Sequence, residues 1–240
     1  MMSNHFPPYP IEIQVLTSGM QQYSEIFSRA AERWSRVIAD TQPPANVDGE
    51  VIKGLRVVVQ VGDFGFEDGI YAESRTRQRR EHNAIPVLGE MKLDRQSLEE
   101  LAPKGMILDV VSHEIGHLLG FGGRWNSLNL IEGKSTNNPR FKGPNTMREY
   151  AKLMGYPDPI QIPIEGEGGT ATTECHWRNS IFGNELMTGH IEAPGNRLSL
   201  LSIASLEDIG YEVNYSAAEP YSIPTRAEII ALGDPQQTSA

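Results

Sequence analysis

The chain has 240 residues, of which 39% are hydrophobic and 22% charged, an ordinary globular composition with enough apolar mass for a core. Its net charge of −10 is spread over both halves and argues against a phosphate-backbone or anionic-membrane binder. The single cysteine, Cys175, rules out an internal disulfide framework.

No apolar run approaches the ~18 residues of a membrane span. The start, MMSNHFPPYP, lacks the basic and apolar stretches of a secretory signal. The expected location is cytoplasmic, or outside the cell by a route without a classical signal peptide. Pro7, Pro8 and Pro10 mark an N-terminal arm. Ile11 to Leu16 alternates apolar and polar residues, as a half-buried strand does. From Met20 to Ile38, Tyr23, Ile26, Phe27, Ala30, Ala31, Trp34 and Ile38 recur at helical spacing, and Gln42-Pro43-Pro44 stops the run. Leu55 to Val61 is β-branched and nearly all apolar, an interior strand. The basic run Arg75-Thr76-Arg77-Gln78-Arg79-Arg80 reads as a solvated loop, with an acidic-partner patch or a proteolytically cut loop as alternatives. Val87 to Leu93 alternates again and is expected as an edge strand. Ser97 and Glu100 have capping-box spacing for a short helix.

Met106 to Leu119 is the second strong helix, with Ile107, Val111, Ile115, Leu118 and Leu119 on one face and Gly120 at the stop. Residues 121–198 are rich in Gly, Asn, Pro and Ser and are expected to be mostly irregular. A further helix is expected from Leu200 to Ile209, capped by Ser199 and ended by Gly210. Glu207 and Asp208 are expected as solvated helix charges. The tail after Tyr215 is expected on the surface.

Within the second helix stands Ser112-His113-Glu114-Ile115-Gly116-His117-Leu118-Leu119-Gly120. His113 and His117 are four positions apart, which places both imidazoles on one helix face within reach of one tetrahedral ion. Glu114 lies a step round the helix and reaches a water on that ion. This is the zinc-peptidase arrangement of two histidine ligands and a glutamate base. A third ligand is needed. The compact pattern HExxHxxGxxH expects a histidine at position 123, where Gly123 stands. The remaining candidates are His5, His82, His176 and His190.

His176-Trp177-Arg178 and Phe182-Gly183-Asn184-Glu185-Leu186-Met187-Thr188 narrow the choice. Together with Leu118-Leu119-Gly120-Phe121-Gly122 and Ser202-Ile203-Ala204-Ser205-Leu206-Glu207-Asp208-Ile209-Gly210-Tyr211, they resemble the leishmanolysin-like family of metzincins, bacterial-type members especially. The resemblance spans roughly residues 11–215. In that family an insertion separates the glycine from the third zinc histidine. The resemblance therefore implies His113, His117 and His176 as ligands of one catalytic zinc, Glu114 as general base, and Met187 as the packed floor of a Met-turn. It implies an α+β, metzincin-like fold: an N-terminal mixed β-sheet with a backing helix and an active-site helix, then an irregular C-terminal subdomain with a terminal helix. The expected boundaries are 1–120, 121–215 and a surface tail at 216–240, with active-site helix 106–119.

Cys175 is the other soft ligand near this centre, but neighbours in an extended chain point opposite ways, so it is not expected to bind beside His176. His190 either hydrogen-bonds a tetrahedral oxyanion or is a surface residue. The expected activity is zinc-dependent hydrolysis of peptide or protein substrates. The strand Val87–Leu93 is expected to pair with an extended peptide. The rival readings are a non-catalytic zinc-stabilised binding module and a hydrolase acting on a non-peptide amide or ester.

Overall fold

A computed structural model describes residues 8–40, 42–66, 70–169, 172–191 and 193–232. The front half of the chain builds a four-stranded sheet backed by two long helices. Its first strand, β1 (Ile11–Val15), forms where the alternation was read. The helical run then divides. Gln21–Tyr23 is a single 3₁₀ turn, and α1 follows as Ser24–Ser35. Phe27, Ala30, Ala31 and Trp34 form its buried stripe. Val37 and Ile38 leave the helix because the chain turns to bridge Val213 at Ile38.

A hairpin, β2 (Ala45–Val47) and β3 (Glu50–Ile52), precedes β4 (Leu55–Gly62). Two long strands follow, β5 (Ala72–Arg79) and β6 (Pro86–Asp94). The sheet order is β1-β4-β6-β5. β1, β4 and β6 are parallel, and β5 is antiparallel to β6.

Two sequence expectations fail here for one reason. Val87–Leu93 is an interior strand, and the arginine run is the edge strand outside it. β6 alternates because its outer face is polar but paired: Glu90 there makes an ion pair with Arg77. Strand β5 alternates too, with Ser74 and Thr76 half-buried toward the core and Arg75 and Arg77 exposed. Short polar residues on the inner face hid it. Arg80 ends the strand buried, donating to the carbonyls of Pro43, Pro86 and Gly54 at 2.8–2.9 Å, so it is a structural clamp and not a loop charge.

The next helix, α2 (Arg95–Leu101), is capped by Asp94, whose carboxylate accepts the Ser97 amide; Ser97 lies inside the helix. Then comes α3 (Ile107–Leu119), ended by Gly120 at φ 111°. It packs against α1 and lies beneath β5 and β6. Trp34 fixes its depth by donating Nε1–H to the Ser112 carbonyl at 2.6 Å.

The stretch 121–198 is more ordered than its composition suggested. It holds a three-stranded sheet of β7 (Ile131–Glu132), β8 (Arg140–Phe141) and β9 (Ile162–Pro163). It also holds α4 (Pro144–Met154) and the single turn α5 (Asn179–Phe182). Pro144 opens α4 and Gly155 closes it, yet its buried stripe is only Thr146, Tyr150 and Ala151, too narrow to read as an apolar face. Its cap comes from α6 (Leu200–Asp208), not from its own neighbourhood. Asp208, expected in solvent, accepts the Asn145 amide, the Thr146 amide and the Thr146 hydroxyl at 2.7–3.0 Å.

The segment after Tyr215, expected on the surface, also holds the fold together. Tyr221 donates to the Phe182 carbonyl, and Ile229 of α7 (Arg226–Ala231) is buried. Arg33 grips Glu219 through Nε and Nη2 at 2.7 and 2.6 Å and also reaches Asp109 at 3.2 Å. Burial alone pushes the Glu219 carboxyl up, but Arg33 and the Leu198 amide hold it below the usual carboxylate range. A depressed acid stabilises the fold above its unfolded value of ~4.3 and loses that contribution as pH falls through the folded value. Glu219→Gln is therefore expected to cost about 1–2 kcal/mol at pH 6 and less at an acid pH where the carboxyl is being protonated, in urea unfolding at both pH values. Equal costs at both would remove the ion pair from the account. Residues 1–7, which hold most of the expected arm and His5, lie outside the described residues, as do 233–240 of the tail.

Candidate metal centre

Helix α3 carries His113 and His117 on one face, as the four-residue spacing requires. His176 arrives from the far side of the chain on a strip pinned along both edges. Glu165 N–H donates to the His176 carbonyl at 2.9 Å, and Trp177 N–H donates to the Met187 carbonyl at 3.0 Å. Trp177 is fully buried among Phe121, Trp125 and Phe141, with its Nε1–H on Ser202 Oγ at 2.9 Å. Gly122 lets the strip come close: at φ 68°, a Cβ there would stand 2.3 Å from the Cys175 carbonyl oxygen. Only a residue without a side chain fits both the turn and the contact.

The three Nε2 atoms converge. They lie 2.9 Å (His113–His117), 3.1 Å (His113–His176) and 2.9 Å (His117–His176) apart. Each Nδ1 faces a backbone carbonyl: Leu186 at 2.8 Å for His113, Phe121 at 3.2 Å for His117, and Thr172 at 2.9 Å for His176. A carbonyl only accepts, so each Nδ1 carries the proton and donates. All three Nε2 lone pairs then point at one another. Three lone pairs that close repel unless a cation sits among them. A tetrahedral ion with ~2.0 Å bonds separates its ligands by roughly 3.3 Å, close to the spacing here. The residues therefore fit zinc, and the carbonyls act as the outer partners that fix imidazole tautomers in such sites. Burial lowers the His113 ring to about 4. Burial, with the neighbouring His113, lowers His176 to about 3. Both stay neutral and ready to ligate.

Among the described residues, His113, His117 and His176 form the group able to hold a metal. Cys175 is not in it. Its Sγ lies 3.2 Å from His176 Nδ1, on the ring edge away from Nε2. Burial, with the charges of Glu114 and Glu174, pushes its thiol up to about 12, far from a thiolate. His190 is exposed, within electrostatic reach of His176.

Glu114 is buried beside the triad, and burial pushes its carboxyl up to about 7 against a lowering hydrogen bond from Ser74. That contact places β5 over the glutamate. Met187 is fully buried against α3, where its Sδ and Cε lie 2.7 and 2.8 Å from the point a Cβ on Gly116 would occupy. Trp34 lies 2.8 Å from the same point. Gly116→Ala is thus expected to overpack the site by about 1–3 kcal/mol, seen as a lower melting temperature in the chelated protein. An unchanged melting temperature would mean that Met187 and Trp34 yield freely.

Sequence reasoning missed two buried carboxylates that support the triad. Glu185 accepts the Met187 amide, the Ser199 amide and the hydroxyls of Ser199 and Ser202, the last two at 2.6 Å. It fixes the turn whose Leu186 carbonyl holds His113. Asp109, one turn before His113, accepts the amides of Gly195 and Asn196 at 2.6 and 3.2 Å. For Asp109 the available signal was an acid inside an otherwise apolar run; Glu185 stands after Gly183 and Asn184 and carried no such signal.

Comparison with known proteins agrees with this geometry. The family model described as Leishmanolysin matches residues 35–227. The leishmanolysin of Leishmania major is 20% identical over 227 residues, covering 91% of this chain and 37% of that protein. Leishmanolysin-like peptidases of Drosophila pseudoobscura pseudoobscura and Drosophila melanogaster are 43% and 42% identical over 61 and 59 residues. Those stretches cover 25% and 24% of this chain, and 9% and 8% of the insect proteins. The chain spans well under half the length of these relatives. With the family matched over most of the chain and a histidine triad that suits its metal, the chain belongs to the leishmanolysin family of zinc metallopeptidases.

Proposed function

We propose that the chain is a zinc-dependent endopeptidase in which Glu114 is the general base. The observation that carries this reading is the convergence of three proton-free Nε2 atoms beside a buried carboxylate. His113, His117 and His176 would hold one zinc per chain. Zinc, when bound, supplies a Lewis acid for the scissile carbonyl and for the attacking water. Glu114 then accepts the water's proton at a carboxylate oxygen and returns it to the leaving amine nitrogen. Ser74 orients that carboxyl by its hydrogen bond. Met187 packs beneath α3 and keeps the helix and the turn at Leu186 in register, so the imidazoles hold their aim. His190, exposed and within electrostatic reach of His176, would hydrogen-bond a developing oxyanion.

The substrate cleft would run between the part of the chain ending near Gly120 and the part carrying His176 and Met187. The strand beside it is β5, not the interior β6, so an extended peptide would add to the edge of β5. The test is zinc content and casein cleavage on one preparation. One zinc per chain, with cleavage abolished by 1,10-phenanthroline and restored by zinc, is expected. One zinc per chain with no cleavage would favour the non-catalytic binding module. Cleavage that persists after zinc removal would overturn the reading.

A further inference from the structure

β5 is the outermost strand of its sheet. One edge bonds to β6, and among the described residues no strand pairs with the other. Such an edge offers a row of backbone donors and acceptors to an added chain. Its level is set by the core. Gly89 of β6 lies so close to α3 that a Cβ there would come within 2.6 Å of Leu118, which brings Thr76, opposite Gly89, down over the helix. Ser74, opposite Met91, reaches the carboxyl of Glu114.

The outer face of the strand differs from the rest of the molecule. In a chain of net charge −10, Arg75, Arg77 and Arg79 stand exposed along it. Arg77 is the extra residue of a bulge between the Thr76–Gly89 and Gln78–Leu88 pairs, which turns it outward. The only carboxylate directly behind Arg75 in the pairing is Glu90, and Glu90 is already in an ion pair with Arg77. One anion thus serves two guanidiniums, and Arg79 lies beyond it. Toward the other end, Glu73 is opposite Lys92, so the positive excess is confined to the Arg75–Arg79 end.

We propose that this edge selects acidic peptide segments, with carboxylate side chains of an added strand lying against Arg75, Arg77 and Arg79. The inference rests on the peptidase reading above and names its substrate class. The direction follows from the strand. β5 runs from Ala72 to Arg79, and Ser74 marks the level of Glu114. An antiparallel peptide then places the residues on the amino-terminal side of its scissile bond alongside Arg75–Arg79, a span of roughly 13 Å at ~3.3 Å per residue. Every second side chain of that segment shares the arginine face. Exposed guanidinium–carboxylate pairs each favour association by about two- to threefold, so two or three of them give roughly tenfold at low salt.

The experiment uses the full zinc-loaded chain and fluorescent decapeptides with one shared cleavable core. Asp, Asn or Lys occupies alternate positions on the amino-terminal side of the scissile bond. At low ionic strength kcat/KM is expected to be about tenfold higher for Asp than for Asn, with Lys below Asn. In ~0.5 M NaCl the Asp/Asn ratio should shrink toward one. In the double variant Arg75→Gln, Arg79→Gln the ratio should collapse already at low salt. Both residues are exposed, and an unchanged melting temperature confirms the fold. Cleavage with a ratio near or below one, or a ratio unchanged in the double variant, overturns the inference and leaves the peptidase reading standing. If no peptide is cleaved, the peptidase reading falls, and anisotropy of the same labelled peptides decides the charge selection: tighter binding of the Asp peptide, lost in the double variant, sustains it, and equal binding ends it.

Discussion

His176→Ala is expected to lower zinc affinity by more than about 100-fold while leaving the secondary structure intact. Loss of a partner outside the ligand shell already costs about 10–100-fold in such sites, and loss of a ligand exceeds that. The backbone of the strip does not depend on the imidazole. Glu165, Met187 and Ile164 hold it through main-chain bonds, and Trp177 anchors it in the core. Two substitutes are at hand, and the structure argues against both. Cys175 has its sulfur on the Nδ1 side of the ring and a thiol held up to about 12. His190 is exposed and stands outside the group of side chains able to hold a metal among the described residues. Zinc titration against a competing chelator, with circular dichroism alongside, is the measurement. Unchanged stoichiometry at unchanged affinity would move the third ligand to one of those two residues. The companion variant Cys175→Ser is expected to keep the zinc.

The two halves of the site differ in how they are encoded. His113 and His117 are local: a helix with an apolar face fixes their geometry, and both the face and the spacing are written in 14 residues. His176 is not local. Nothing at residues 106–123 says that the chain returns 59 residues after His117 along a strip threaded between Ile164 and Thr188. That ligand was recognisable only from the resemblance carried by His176-Trp177-Arg178 and the Met187 turn. The sheet shows the same divide. Leu55–Val61 is nearly all apolar, broken only by Arg56 and Gln60 on its outer face, and reads as interior, which it is. Strand β6 reads as an edge because Glu90 and Lys92 alternate with Met91 and Leu93, and period-two polarity reports a solvated face, not a free edge. β5 escaped notice because arginines are poor strand markers and its inner face is Ser74 and Thr76, whose value lies in reaching Glu114 and α3. Helix α4 was hidden because its cap, Asp208, is more than 60 residues away in sequence.

Glu114→Gln separates metal binding from chemistry in one substitution. The variant is expected to bind zinc as the wild type does, because the three Nε2 atoms and their three carbonyl partners do not involve the carboxyl. Hydrolysis is expected to fall by about 10²–10⁴-fold in kcat, the usual contribution of a positioned base. Glutamine has the same shape and still accepts from Ser74, so the loss cannot be assigned to collapse of the site. Folding points the same way. Burial pushes the Glu114 carboxyl up, which means that its charged form is costly where it sits. A neutral amide removes that cost, and the chelated variant is expected to melt no lower than the chelated wild type at neutral pH. On the proposed reading, catalysis needs an acid where folding favours a neutral group, the usual conflict between stability and a working site. Retained zinc with retained cleavage would remove Glu114 from the chemistry. Lost zinc would mean that the carboxyl holds the metal, against the geometry of the triad.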